Sequence, residues 1–302
     1  MILYDARMIE QARTIIAGRG RSVLKARRRA LEEADAEAIH HLRVATRRLQ
    51  AALDIFGPDL PDRERRRLDR RARTIRRKLG AQRNACVVLE VLSKVSPRLR
   101  RDEKRLAAGL KRRLGKTIAA GRHAGRRQGL PGLRKRLAAL LGALRRDRAA
   151  TRSSPAPAID PARAGAVLRA CREARNGGAE ALHRLRIAIK RQRYAMEILA
   201  EAGVGGLRPA IREARVLQTH LGDLHDVDLL IDLVHQEAYR PGGGSLLRRL
   251  LRRRSRQAER VMSRLSRYRP VTGSGAMGRT AGRQAGPRSG GPRPEAGPRA
   301  AA

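Results

Sequence analysis

Aromatic side chains are nearly missing from this chain of 302 residues: it has one Phe, four Tyr and no Trp. That argues against a surface that reads single-stranded nucleic acid by stacking bases on rings. Cysteine is equally scarce. Cys86 and Cys171 form no paired motif, which excludes a disulfide scaffold or a cysteine-based zinc site and makes a reducing cytoplasm the expected compartment. No apolar run approaches the roughly 18 residues of a membrane-crossing helix. The opening MILYDARMIEQ lacks the basic-then-apolar pattern of a signal peptide. No Gly-x-x-x-x-Gly-Lys-Ser/Thr phosphate loop occurs, and no Ser/His/Asp or Cys/His set stands out as nucleophile and base. The chain is therefore expected to bind rather than catalyse.

Acidic residues are the other shortage. Asp and Glu number 28 against 70 Lys plus Arg, a formal net charge of +42. A GC-rich coding sequence would account for part of this, since only eight of the 70 are Lys. The remainder exceeds what solubility requires and implies a polyanionic partner: nucleic acid, an anionic membrane or a phosphate polymer.

The patterning is helical almost throughout, rich in Ala, Leu, Arg and Glu. Helices are predicted near 5–30, 36–56, 62–79, 84–95, 98–128, 131–149, 161–176, 179–202, 208–221, 226–239 and 245–268. Gly- and Pro-containing breakers stand between many of them. The expected organisation is an N-terminal bundle over 1–151, a linker over 152–162 (RSSPAPAIDPA), a C-terminal bundle over 163–268 and a disordered basic tail over 269–302.

The two halves repeat. HHLRVATRRLQAALDIF at 40–56 aligns without gaps on HRLRIAIKRQRYAMEIL at 183–199, and KLGAQRNACVVL at 78–89 aligns on HLGDLHDVDLLI at 220–231. The offsets, 143 and 142 residues, are nearly constant, which indicates internal duplication. Two similar all-α bundles packed about a pseudo-two-fold axis follow from it.

At about 100° per residue, His183, Arg186, Lys190, Arg193 and Tyr194 fall within about 100° of arc. Leu185, Ala188, Ile189, Ala195, Met196 and Leu199 lie opposite. The first copy has the same division, with His40, Arg43 and Arg47 on the stripe and Leu42, Ala45, Leu49, Ala52, Leu53 and Phe56 behind it. An isolated run of this kind is ordinarily a solvated face. Two observations favour a binding face: the stripe occurs twice, and each copy begins with His. Cations one turn apart also destabilise an isolated helix, which a bound polyanion would offset. Asp54 and Glu197 fall on the stripe too, either as partners that hold its cations or as ordinary helix charge pairs such as Glu197 with Arg193.

Other charged runs read more plainly. His220, Asp223, His225, Asp226 and Asp228 are close in sequence, but Asp226 and Asp228 cannot share a helix face, and Asp226 reads as the N-cap of a new helix. A structural role is favoured over a metal site. RERRRLDRRARTIRRK at 63–78 and RRLLRRRSR at 248–256 read as solvated or rim faces that steer polyanions inward.

The paired His-x-x-Arg-x-x-x-Arg/Lys helices, each followed some 40 residues on by Leu-Gly and an Arg-Asn or His-Asp pair, resemble the CHAD domain, the conserved histidine α-helical domain, over roughly 5–268. The resemblance implies two four-helix bundles around a central basic cavity, binding of inorganic polyphosphate, association with polyphosphate granules in the cytoplasm, and no established catalytic activity. It implies no cofactor; divalent cations would arrive carried by the polyphosphate. It carries His40, Arg43, Arg47 and Arg48 into the site from the first half, and His183, Arg186, Lys190, Arg191 and Arg193 from the second; Arg83 of the second block and Tyr194 of the stripe complete the expected site. The sequence departs from the family pattern at Gln50, which stands opposite Arg193, and at Asn84 and Cys86, which stand opposite Asp226 and Asp228. Non-specific nucleic-acid binding is the competing reading, since it explains the charge equally well.

Overall fold

In the computed structural model the described residues are 2–33, 35–127, 132–146, 161–237 and 240–271. They form ten α-helices and no strand: α1 (Ile2–Glu32), α2 (Ala36–Ile55), α3 (Asp62–Lys78), α4 (Gly80–Val95), α5 (Arg101–Arg127), α6 (Leu133–Arg146), α7 (Pro161–Ala174), α8 (Ala179–Glu201), α9 (Arg208–His235) and α10 (Gly243–Arg267). Local chemistry sets several ends. Asp35 caps α2, its Oδ1 accepting from the Ala38 N–H at 2.6 Å. In α3, Asp62 and Glu64 occupy the first turn and Arg76, Arg77 and Lys78 the last, each sign at the end of the helix dipole that favours it.

The all-α architecture of two helical repeats is as the sequence predicts. By the sequence offset α2 corresponds to α8, and α3 with α4 corresponds to α9. Like packs against like: α2 against α8, α4 against α9 and α5 against α10. Three equivalent pairs in contact fit the pseudo-two-fold arrangement expected of the two repeats.

One predicted break is absent. The chain was expected to stop near 221 and restart at Asp226, yet α9 runs unbroken through Gly222, with Leu221, Leu224 and Val227 all buried. A mid-helix glycine costs only about 1 kcal/mol, and the apolar contacts on both sides outweigh it. Asp226 is therefore mid-helix and caps nothing. In the first half the equivalent point, Leu79–Gly80, does separate α3 from α4.

The apolar core falls into two clusters, and each draws on both halves. One joins α1, α2, α3, α6, α7 and α8 with the first half of α9 and the end of α10. The other joins α4 and α5 with the second half of α9 and the start of α10. Two glycines permit close approach. A Cβ on Gly20 of α1 would collide with the Leu137 side chain of α6. Gly242, at φ 82°, starts α10 in the left-handed region, where a Cβ would also meet the Asp102 backbone at 2.6 Å.

The proposed linker lies outside the described residues up to 160, and its last two residues already belong to α7. The chain stays packed through Val271, past the expected start of the tail at 269. Val271 is 8% exposed and its carbonyl accepts from Gln192 Nε2 at 2.8 Å, while Tyr268 Oη donates to Gln192 Oε1 at 2.8 Å. Residues 272–302 lie outside the described residues.

Candidate functional site

Packing α2 against α8 by their apolar stripes leaves their basic faces beside a groove of about 1200 Å³. Its walls are α2 and α3 from the first repeat and α7 and α8 from the second. Arg43 and Arg47 enter from α2, Arg73, Arg76 and Arg77 from α3, Arg163 and Arg169 from α7, and Arg184, Arg186, Lys190 and Arg191 from α8. Two carboxylates line it, and both are engaged: Asp54 with Arg163 at 3.2 Å and Glu173 with Arg184 at 3.0 Å. Arg73 pairs with Asp69 at 2.7 Å. The other eight cations have no carboxylate within ion-pair distance among the described residues.

Crowding without counterions leaves an electrostatic debt. Burial, reinforced by Arg47, Arg186, Arg193 and Arg43, pushes the Lys190 ammonium down to about 6. Burial and the neighbouring Arg47, Arg76, Arg83 and Arg186 push Arg43 down to about 10. Arg76 and Arg186 are lowered for the same two reasons, burial first. Arg43 is also held from behind, its Nη1 donating to the Arg76 carbonyl at 2.6 Å. Arg186 Nε is buried with no hydrogen-bond partner, an unmet donor of the kind that an anion satisfies.

The two signature histidines stand beside the groove rather than on its lining. Partial burial, then Arg83, His41, Arg47 and Lys190, push the His40 imidazole below its ordinary value. His183 packs against His225 with ring centroids 5.0 Å apart. Burial, with Arg186, His183 and Lys190, pushes His225 down to about 4. Asp226 sits close enough to Arg186 and Arg83 to be influenced by both, although burial raises its pKa overall. Arg83 thus reaches this cluster across the repeat boundary.

The structure brings Arg43, Arg47, Arg186, Lys190, Arg191 and Tyr194 to the groove, with His40, Arg83 and His183 adjoining. It withdraws two expected residues. Arg193 is 6% exposed, donating from Nε to Gln218 at 2.8 Å, pairing with Glu197 and lying over the Tyr194 ring at 4.3 Å. Arg48 is 3.5 Å from Glu197. The sequence reading missed Arg73, Arg76, Arg77, Arg163, Arg169 and Arg184. The first three lie in the run that reads as a solvated face; their spacing of three and four residues was the only available signal. Asp228 pairs with Arg254 at 2.7 Å, a link between α9 and α10. Among the described residues no group of three or more His, Cys, Asp or Glu side chains is placed to hold a metal ion. No described helix is long and apolar enough to cross a membrane.

Known structures share this fold. The CHAD domain from the plant Ricinus communis is 22% identical and superposes with a TM-score of 0.66, covering 87% of this chain and 93% of that one. PptA from Streptomyces chartreusis is 17% identical with a TM-score of 0.60, covering 86% of this chain and 98% of that one. At such identities the likeness establishes the fold. No curated protein matches the chain. The family model for the CHAD domain matches residues 14–235, a span that holds α2, α3, α7 and α8 and hence every wall of the groove. This chain belongs to the CHAD domain family.

Proposed function

We propose that the groove binds inorganic polyphosphate and that the protein acts as a cytoplasmic polyphosphate-binding module, associated with polyphosphate granules, without catalysing a reaction of its own. The observation that carries this reading is the set of eight cations without carboxylate partners that converge on one groove from both repeats. A polyphosphate chain presents about one negative charge per unit and no base. Guanidinium groups at one-turn spacing meet successive phosphoryl oxygens with charge-assisted hydrogen bonds. The ligand would also relieve the repulsion that depresses Lys190 and Arg43. Nucleic acid fits the same charge but not the lining. Among the described residues Tyr194 is the only aromatic side chain on the groove, and it is 5% exposed, which leaves no platform for bases there.

The test is a competition titration of long-chain polyphosphate against duplex DNA at fixed salt, repeated across a salt series. Polyphosphate should displace DNA, and log K should fall linearly with log salt, as counterion release requires. Preference for DNA, or affinity indifferent to salt, would overturn the proposal.

A further inference from the structure

A second basic concavity, of about 290 Å³, lies where the end of α4 and the turn at 96–98 face α10. It shares no residue with the groove. Six cations line it: Lys94, Arg98, Arg249, Arg253, Arg256 and Arg260. The four arginines on α10 are spaced four, three and four residues apart, so they form one stripe along three turns. The adjoining face of α10 is buried through Leu246, Leu250, Val261 and Leu265, and Leu250 also lines the concavity. Lys94 pairs with Glu90 at 2.7 Å and Arg249 with Glu103 at 3.4 Å. Arg98, Arg253, Arg256 and Arg260 have no carboxylate within ion-pair distance among the described residues. The Nε atoms of Arg249 and Arg253 are buried without a hydrogen-bond partner, and so is Gln257 Oε1 beside them. These unmet donors lie among the cations of the concavity, where an anion would satisfy them.

We propose that this concavity is a separate binding site for a compact, multiply charged phosphoryl compound: a short phosphoanhydride chain or the phosphate end of a larger molecule. Its volume is about a quarter of the groove's and sits at the lower edge of the roughly 300–1,000 Å³ usual for small-ligand clefts. A long polymer would leave most of its length outside. Forked guanidinium donors match phosphoryl oxygens, and several of them outbid the hydration of a highly charged anion. Among the described residues no aromatic side chain lines the site, so it offers no stacking surface for a base. The inference stands on residues of its own and does not depend on what fills the groove.

Calorimetric titration of the full chain with tripolyphosphate, at about 0.15 M salt, tests it. Wild-type protein should show two classes of site. Arg253→Ala with Arg256→Ala should remove one class or weaken it about tenfold or more, the scale expected for lost charge-assisted hydrogen bonds. Arg208→Ala with Arg212→Ala, which removes the same charge from an exposed stretch of α9, should leave both classes. Arg43→Ala with Arg186→Ala should spare the α10 class. If that groove pair abolishes all binding while the α10 pair changes nothing, this proposal falls and the groove reading stands. The reverse pattern would uphold this site and overturn the groove. ATP should bind the α10 site no more tightly than tripolyphosphate; a clear preference for ATP would overturn the ligand class. Should the first double variant fail to fold, Arg256→Gln with Arg260→Gln, both at exposed positions, makes the same test.

Discussion

The α2–α8 crossing has two flanks that the repeat makes equivalent, and they have diverged. One is the groove, where Asp54 pairs with Arg163 of α7 and most cations lack a carboxylate. On the other, Glu197 stands at the position equivalent to Asp54. It is only 12% exposed and collects Arg48 from α2, Arg193 from α8 and Arg215 from α9. A further ion pair, Arg19 to Glu201, ties α1 to α8 nearby. Gln50 and Arg193 are also equivalent positions. Gln50 donates to Asp69 at 2.5 Å, whereas Arg193 turns inward to Gln218 and Glu197. Nearly the same helix pair therefore makes a receptive surface on one side and a structural joint on the other. What differs is the carboxylate: Glu197 is mostly buried and gathers three arginines, whereas Asp54 is more exposed and pairs with one.

The largest expected effect tests the receptive flank. Arg43→Ala with Arg186→Ala should weaken polyphosphate binding by about 3–6 kcal/mol, taking about 1.5–3 for each charge-assisted contact. Arg63→Ala with Arg70→Ala, exposed on α3 and off the groove, removes equal charge and should cost well under 1 kcal/mol through screened attraction. Equal losses in parallel titrations would reduce the groove to bulk charge.

The next effect belongs to the structural flank. Glu197→Gln leaves the buried Arg193 without its counterion and should destabilise the fold by about 3 kcal/mol. Asp54→Asn breaks a more exposed pair and should cost under about 1 kcal/mol. Urea unfolding of the two variants measures the difference directly. Similar midpoints would mean the flanks are energetically alike.

The smallest effect concerns pH. The Lys190 value is about 6 in the folded protein against about 10.4 for an unperturbed lysine. Between those values the unfolded chain binds more protons, so stability should rise with pH, by up to about 1.4 kcal/mol per unit. Below about 6 the penalty is complete and the contribution flattens. Thermal melts from pH 6 to 8 should show this rise, about 2–4 °C per kcal/mol, and Lys190→Met should flatten it. Polyphosphate affinity should move the other way, falling over the same range because the bound state must take up the proton. Any part His40 plays lies lower than an ordinary imidazole would place it, since its pKa is depressed.

What the sequence made legible was local or repeated. Periodicity placed α2 and α8 within a residue of their ends, because both are amphipathic and each is followed by a clear breaker. The duplication led to the paired basic stripes, and six of the eleven expected site residues do line the groove. What stayed hidden depends on distant partners. Arg193 occupies the stripe on a helical wheel, yet Gln218, 25 residues away, helps turn it inward. Arg76 looks solvated in its run until α3 lies beside α2. Gly222 reads as a stop unless one knows that apolar contacts continue on both sides of it.

The unbroken α9 has a consequence for the history of the fold. It passes through both apolar clusters, and each cluster takes helices from both repeats. Half the chain alone would present two half-cores to water. A single ancestral copy could cover those surfaces only by pairing with another of its kind, exchanging elements across the axis as interlocked homodimers do. Fusion of the two genes would then have freed each copy to change independently, which is the condition for one flank to become a joint while the other stayed open.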